Sequence, residues 1–297
     1  MKELNREQVI KALVTSSGGT MAAGDFEQFF GDVVNAQPIL SVFNVRKMTK
    51  PIMNAHSFAP TSRLLRVADT TNGYAQATLT AQKRQLIPVR CGSAIDVEYD
   101  QLDDMISGGA EAAEQTLRNH IAKLIAADIV DLAGNGDGST AGFLIVNEGF
   151  PVLAAGDSDV NDYDETNTTF LGASGILEKM AAQQPEQYLE ESAYFMARSE
   201  YEKFLSELGA RGTQLGDEAT KRGGSYPHHG HQVYGVYGWP VDKIIFTPPA
   251  NLLIGMWKEI SIKTRDMPDY SKIRLVPEIR IDFQHAVGEA IVYGTTD

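Results

Sequence analysis

An α+β fold is predicted by three features of the amino-acid sequence. Residues Ile279–Gln284 alternate between apolar and polar side chains, which is typical of a strand with one buried face. Residues 110–133 carry apolar side chains at spacings of three and four and stop at Gly134, the pattern of a long helix. Between residues 43 and 93, two extended stretches flank Asn72-Gly73, a dipeptide that favours a hairpin turn. The helix, the hairpin and the strand-rich end occupy separate stretches, as in an α+β protein.

The same periodicities predict the other elements. An amphipathic helix is expected over Arg6–Leu13, and a buried strand is expected over Tyr194–Met196. Ser199 is expected to cap the helix that follows this strand. The remaining predictions are helices at 172–183 and 199–208 and strands at 243–246, 260–263, 279–284 and 289–293.

Length and composition define the broad class of protein. The chain has 297 residues, of which 43% are hydrophobic and 22% charged, enough for one large domain or two small ones. No stretch approaches the roughly 18 consecutive apolar residues of a membrane span, and the first residues lack the apolar block of a secretion signal. Cys91 is the single cysteine, which excludes a disulfide scaffold. We therefore expect a soluble protein that is not exported.

Charge is distributed unevenly along the chain. The net charge is −13, the wrong sign for a protein that binds nucleic acid by neutralising phosphates. Residues 43–93 nevertheless contain eight basic residues and one acidic residue, Asp69, a local charge of +7. This segment is either a solvated basic face or an arm that lies on acidic surface of a neighbouring copy. Its predicted extended arms are long enough to protrude from a compact domain, which favours the arm.

The candidates for chemical sites are weak. His228, His229 and His231 could in principle bind one zinc or nickel ion, but no clear carboxylate partner accompanies them. We expect a surface loop there and predict no metal and no cofactor. The acidic loop from Asp157 to Glu165 breaks the EF-hand pattern and is expected to be solvated. No nucleophile or phosphate-binding motif is present, so no catalytic residue and no enzyme activity are predicted.

The order of these elements resembles that of tailed-phage major capsid proteins, which share the Hong Kong 97 (HK97-like) fold. Residues Ile121–Ile129, running into Gly134–Leu144, are similar to the family's spine helix and the turn after it. The C-terminal part of the chain is also similar to that of the family, because Gly238–Val241 precedes Ile244–Thr247 and the closing strands. The resemblance covers nearly the whole chain.

The resemblance implies a division of the chain into the parts of that fold. They are an N-terminal arm at 1–42, an extended β-hairpin loop at 43–93, a peripheral domain at 94–140 and 263–290 with the spine helix at 110–133, an axial domain at 141–262, and a closing strand at 291–297.

The resemblance also implies a function. The protein is expected to form hexamers and pentamers of an icosahedral virion shell, assembled in the host cytoplasm around double-stranded DNA that it does not bind by sequence. Scaffold, portal or decoration proteins are possible partners, and a membrane is not. The extended loop would reach over a neighbouring subunit, and its basic residues would make inter-subunit contacts. These residues are Arg46, Lys47, Lys50, Arg63, Arg66, Lys83, Arg84 and Arg90.

Two alternatives stay open on the sequence. One alternative is an encapsulin, the shell protein of a bacterial compartment that encloses cargo enzymes. Encapsulins share this fold but have a shorter extended loop. A metal-dependent enzyme built on His228, His229 and His231 is a more distant alternative.

Overall fold

The computed structural model describes residues 31–60, 79–100, 110–139, 142–165, 169–172, 175–210, 226–257 and 261–296. The predicted helix at Arg6–Leu13 and the predicted turn at Asn72-Gly73 lie outside these residues, as do Arg63 and Arg66. Within the described ranges, no helix is both long and apolar enough to cross a membrane.

The strands of the described residues form two larger sheets and one two-stranded hairpin. In chain order they are β1 (Asn44–Met48), β2 (Met53–Pro60), β3 (Leu79–Leu86), β4 (Val89–Gly92), β5 (Ile95–Glu98), β6 (Asn161–Glu165), β7 (Ala193–Ala197), β8 (Val233–Val236), β9 (Lys243–Thr247), β10 (Leu252–Trp257), β11 (Ser261–Met267), β12 (Lys272–His285) and β13 (Val292–Thr296). The α-helices are α1 (Ala110–Asn135), α2 (Phe150–Ala155), α3 (Ile176–Gln183), α4 (Glu186–Leu189) and α5 (Arg198–Gly209), and residues 31–36 are also helical.

β12 organises the larger sheet, because four other strands pair with it. β4, β5, β10 and β11 are all antiparallel to it, and β1 adds in parallel to β10. Its side chains alternate strictly between buried and partly exposed. Pro277, which has no N–H to donate, lies between the residues that pair with β5 and those that pair with β4.

The second sheet has the strand order β6-β13-β9-β7-β8. All five residues of β7 are buried. Ala193, Phe195 and Ala197 belong to the same core as the buried face of β12, whereas Tyr194 and Met196 belong to a second core with residues of α3 and α5. Because both faces of the sheet are covered, β7 is a continuous apolar run rather than an alternating one.

The long helix α1 packs against the core that β12 lines, through Ile121, Ala126 and Ile129 among others. It ends at Asn135, two residues beyond the predicted end. A Cβ at Gly134 would lie 2.4 Å from the carbonyl oxygen of Gly238. Gly134 therefore lets the turn before β9 contact the end of the helix directly, a role that the sequence, which predicted only a stop signal, did not reveal.

The hairpin is shorter than the sequence predicts. β2 and β3 pair from Met53 opposite Leu86 to Pro60 opposite Leu79. The flanking stretches β1 and β4, which the sequence analysis placed on the extended arms, belong to the six-stranded sheet instead. β1 pairs with β10 along its whole length, from Asn44 opposite Leu253 to Met48 opposite Trp257, and this ladder places the stretch in the sheet.

Several other boundaries differ from the predicted ones. α3 begins at Ile176 rather than at residue 172, because Gly172 has a φ of 97° that a helix does not admit. The N-cap of α5 is Ala197 rather than Ser199, because β7 runs directly into the helix. The last strand begins at Val292 rather than at residue 289, after a turn.

The tight approach at the end of α1 generates a stability prediction. Gly134→Ala would place a methyl group against backbone atoms that cannot rotate away, so we expect a loss of about 1–3 kcal/mol in the free energy of unfolding. Gly156→Ala is the matched control, because its Cβ would lie 3.4 Å from its nearest neighbour, an ordinary contact. Urea denaturation measures both variants, and equal losses would contradict the argument.

Candidate functional site

The predicted contact residues that the structure describes lie on several different elements. Arg46 and Lys47 lie on β1 and therefore belong to the larger sheet, whereas Lys50 lies in the loop between β1 and β2. Arg90 lies on β4 and forms an ion pair with Glu278 of β12. Among the described residues of the set, only the remaining two lie on the hairpin itself.

Lys83 and Arg84 are neighbours on β3, but they face opposite directions because successive side chains of a strand alternate. Lys83 is exposed, and so is His56, which lies opposite it on β2. The side chain of Arg84 is only 17% exposed and contacts the body of the protein. The two basic residues therefore have different environments, which their identical charge does not indicate.

Arg84 belongs to a group of ionisable side chains at the base of the hairpin that we call the basal cluster. Its members are Arg84, Asp157, Asp159 and His285. Arg84 forms an ion pair with Asp157, and its Nη2 lies 3.7 Å from Oδ2 of Asp159. His285 Nε2 lies 2.6 Å from Oδ2 of Asp157, and the His285 side chain is 2% exposed. The cluster joins β3 of the hairpin to the loop after α2 and to the end of β12.

The protonation of the basal cluster follows from burial and charge. Burial opposes ionisation of Asp157, but its hydrogen bonds with His285 and the backbone of Asp159, together with the charge of Arg84, outweigh this and lower its pKa. Burial lowers the pKa of His285 despite its hydrogen bond to Asp157. Near neutral pH the cluster therefore holds an ionised Asp157 between the Arg84 guanidinium and a neutral imidazole that donates a hydrogen bond.

A second polar contact at the base of the hairpin is made by Asp282, three residues before His285 on β12. Its Oδ2 accepts a 2.6 Å hydrogen bond from the backbone N–H of Ile87, the residue after β3. Its Oδ1 accepts from the Asn147 side chain at 2.9 Å and from the backbone N–H of Phe283 at 2.9 Å. Burial raises the pKa of Asp282 to about 6, although these hydrogen bonds oppose the shift.

Apolar packing completes the base of the hairpin. Leu86, the last residue of β3, is fully buried together with Met48, Ala55 and Leu253. A Cβ at Gly255 would lie 2.7 Å from Sδ of Met48, which shows how closely the strands approach there. Apolar contacts, an ion pair and a buried carboxylate therefore all fix the base of the hairpin to the larger sheet and to the loop after α2.

Other basic and acidic side chains find partners within their own chain. Arg274 of β12 holds Asp96 of β5 in a two-pronged contact, with N–O distances of 2.6 and 2.9 Å. The Nζ of Lys272 lies 3.6 Å from Oε1 of Glu98, two pairs further along the same ladder and on the same face. The acidic face of β5 is therefore matched by the basic face of β12.

The structure arranges the clustered histidines differently from the sequence interpretation. His228 and His229 lie near Glu178 of α3, which is the carboxylate partner that the sequence did not reveal. The imidazole of His231 instead donates from Nδ1 to the carbonyl oxygen of Ser192 at 3.0 Å. His231 therefore lies outside the group formed by Glu178, His228 and His229, which differs from the three-histidine cluster of the metal-dependent enzyme alternative.

The fold is similar to that of solved capsid chains. A chain of the satellite phage P4 procapsid aligns over 100% of this chain and 98% of its own, with a TM-score of 0.71 and 15% sequence identity. A chain of the capsid of a native GTA particle aligns over 89% of this chain and 90% of its own, with a TM-score of 0.62 and 12% identity. A chain of the cyanophage A-1(L) capsid aligns over 88% and 92%, with a TM-score of 0.59 and 13% identity.

No protein-family model matches the chain, and no curated protein matches its sequence. The structural likeness nevertheless establishes the fold, which is the α+β fold of these capsid chains. The predicted Hong Kong 97 fold is therefore confirmed.

Sequence reasoning missed the residues that anchor the hairpin. Asp157 lies in an acidic loop that we expected to be solvated, yet its side chain is 13% exposed. Asp282 lies within the predicted strand at 279–284, and His285 lies directly after it. Neither residue belongs to a recognisable motif. A polar residue on an otherwise apolar face of a strand was the only available signal, and it applies to His285 alone.

The opposite environments of Lys83 and Arg84 generate a prediction. Arg84→Gln leaves Asp157 largely buried without its counter-charge, so we expect the free energy of unfolding to fall by about 2–4 kcal/mol. Lys83→Gln, the adjacent control with the same change of charge, should shift it by no more than about 0.5 kcal/mol. Urea denaturation compares the two, and a loss as large in the control would refute the assignment.

Asp282 generates a prediction about pH. Its pKa of about 6 in the folded protein exceeds the ordinary value of 3.8, so the folded state binds the proton more tightly than the unfolded chain. Lowering the pH from 7 to 5 should therefore stabilise the wild type, relative to Asp282→Asn, by about 1 kcal/mol. Denaturation of both proteins at each pH measures this difference, because the other groups titrate in both. A difference that does not change with pH would contradict the assignment.

Proposed function

We propose that this chain is a major capsid protein of a tailed phage or a related particle. Its subunits would form hexamers and pentamers that close into an icosahedral shell around double-stranded DNA. The observation that carries the proposal is the alignment with the P4 procapsid chain, which extends over essentially the full length of both chains. A shared active site or domain would account for a partial match, whereas a match of this extent includes every part of the fold.

The hairpin supports an assembly role on physical grounds. A two-stranded hairpin is marginal in water on its own. Among the described residues, the basal cluster and Asp282 hold this hairpin at its base. We infer that the part beyond the base is completed by contact with a neighbouring subunit. Lys83, which is exposed beside the base, is the described hairpin residue best placed to meet acidic surface there.

The eight basic residues would then divide between two roles. Arg46, Lys47, Lys50 and Lys83 stay candidates for inter-subunit contacts, as do Arg63 and Arg66. Arg84 and Arg90 are paired within their own chain, so we assign them to positioning the hairpin and β4.

The division into an arm at 1–42, an extended loop at 43–93, a peripheral domain and an axial domain is part of this proposal. The strand pairing supports narrower limits for the loop, from Met53 to Leu86.

The net charge of −13 fits a shell that encloses DNA without binding it tightly. Scaffold, portal and decoration proteins are the partners that such a shell would take. Within this proposal the protein acts in the virion, after assembly in the host cytoplasm.

Assembly of the purified full-length chain tests the proposal. Negative-stain electron microscopy and size-exclusion chromatography at moderate salt should show closed shells or rings of five or six subunits. Lys83→Glu should reduce the assembled fraction strongly without lowering subunit stability, because the side chain is exposed. Lys123→Glu makes the same charge change at an exposed position of α1 and serves as the control.

A wild-type chain that stays a monomer or dimer across salt concentrations and crowding agents would overturn the proposal. Equal loss of assembly in both variants would count against a specific role of Lys83. Neighbouring genes for a terminase and a portal would favour the phage shell, whereas genes for cargo enzymes would favour the encapsulin alternative.

A further inference from the structure

The segment His228–His231 forms a tight turn whose backbone is closely defined. His228 and His231 exchange two backbone hydrogen bonds, of 2.8 and 2.9 Å. Between them His229 and Gly230 have φ values of 49° and 91°. A two-residue connection with positive φ at both positions is the geometry of a type I′ hairpin turn. Glycine adopts it freely, whereas a histidine does so at a cost, so His229 is held in a conformation that its own chain disfavours.

Glu178 of α3 faces this turn, although it lies 51 residues earlier in the chain than His229. His229 Nε2 lies 3.2 Å from Oε1 of Glu178. One ligand atom from each of Glu178, His228 and His229 lies within 4.8 Å of the other two. The ring of His228 packs 4.4 Å from that of His229, centroid to centroid, and is supported on its other sides by Tyr194 and Phe204.

We propose that Glu178, His228 and His229 form a binding site for one zinc ion. Two imidazoles and one carboxylate are a ligand set that zinc takes in proteins, whereas magnesium and calcium prefer oxygen ligands alone. Tetrahedral zinc with bonds of roughly 2.0–2.1 Å holds its ligand atoms about 3.3 Å apart. The 3.2 Å separation of His229 Nε2 and Glu178 Oε1 already fits this spacing.

Burial supports the site as well. His228 is 6% exposed and Glu178 is half-buried, so two of the ligands are held by their surroundings. The side chain of His229 is 66% exposed, which gives an ion access from solvent and leaves space for a water molecule as the fourth ligand.

A bound ion would tie the turn at 228–231 to α3. Because the ligands come from distant parts of the chain, the ion would stabilise the folded protein and not the unfolded chain. Zinc would therefore link this turn to α3 in the folded protein. The proposal stands on these contacts and does not depend on shell assembly.

Zinc binding by the full-length chain tests the proposal. The protein is stripped with a chelator, dialysed and titrated with Zn²⁺ by calorimetry, and bound metal is counted by mass spectrometry. We expect one ion per chain and a rise in the Tm with added Zn²⁺. Glu178→Gln and His229→Ala should each weaken binding at least about tenfold, since changes even outside the ligand shell cost about 10–100-fold. Excess Mg²⁺ should neither raise the Tm nor compete.

His120→Ala, at an exposed histidine of α1, is the matched control and should bind zinc as the wild type does. Circular dichroism checks that each variant is folded. Absence of stoichiometric binding to the wild type would overturn the site. Wild-type affinity in Glu178→Gln and His229→Ala would also overturn it, because the ion would then be bound elsewhere. Since binding is measured whether or not the chain assembles, a failed shell and a failed zinc site give different results.

Discussion

The pairing of four strands with β12 is the constraint on which the larger sheet depends. Along this strand every second side chain is buried, and the alternate, partly exposed positions carry Lys272, Arg274, Glu278 and Arg280. A shift of one residue in register would bury these charges and expose the apolar face. The register in turn places Asp282 and His285 at the base of the hairpin, where Asp282 bonds to the backbone after β3 and His285 bonds to Asp157 in the loop after α2.

The base of the hairpin is joined to the larger sheet and to the loop after α2 by several kinds of contact. The base of the hairpin combines apolar burial at Leu86 with the Arg84–Asp157 ion pair. A buried ion pair adds little net stability compared with an apolar pair, but it tolerates few geometries. Its contribution is therefore specificity: it fixes the geometry at the base of the hairpin, which the proposed contact between subunits would require.

The histidine turn shows the same principle at smaller scale. The sequence places three imidazoles together, but a type I′ turn separates their directions, and a carboxylate on α3 completes a different group. His229 thus contacts Glu178, whereas His231 contacts the carbonyl oxygen of Ser192. The chemistry of the segment depends on Glu178, which lies far away in the chain.

The sequence by itself determined the elements whose pattern is local. The alternation around Ile279–Gln284 and the spacing of apolar residues in α1 are properties of short stretches, so they indicated strand and helix correctly. The order of elements was also sufficient for the fold to be predicted. Only the tertiary structure decided the partners: that β1 and β4 join the sheet, that Arg84 faces inward while Lys83 faces outward, and that Glu178 meets the histidines. The physical reason is that periodicity records which face of an element is buried, whereas charge pairing depends on residues brought together from distant parts of the chain.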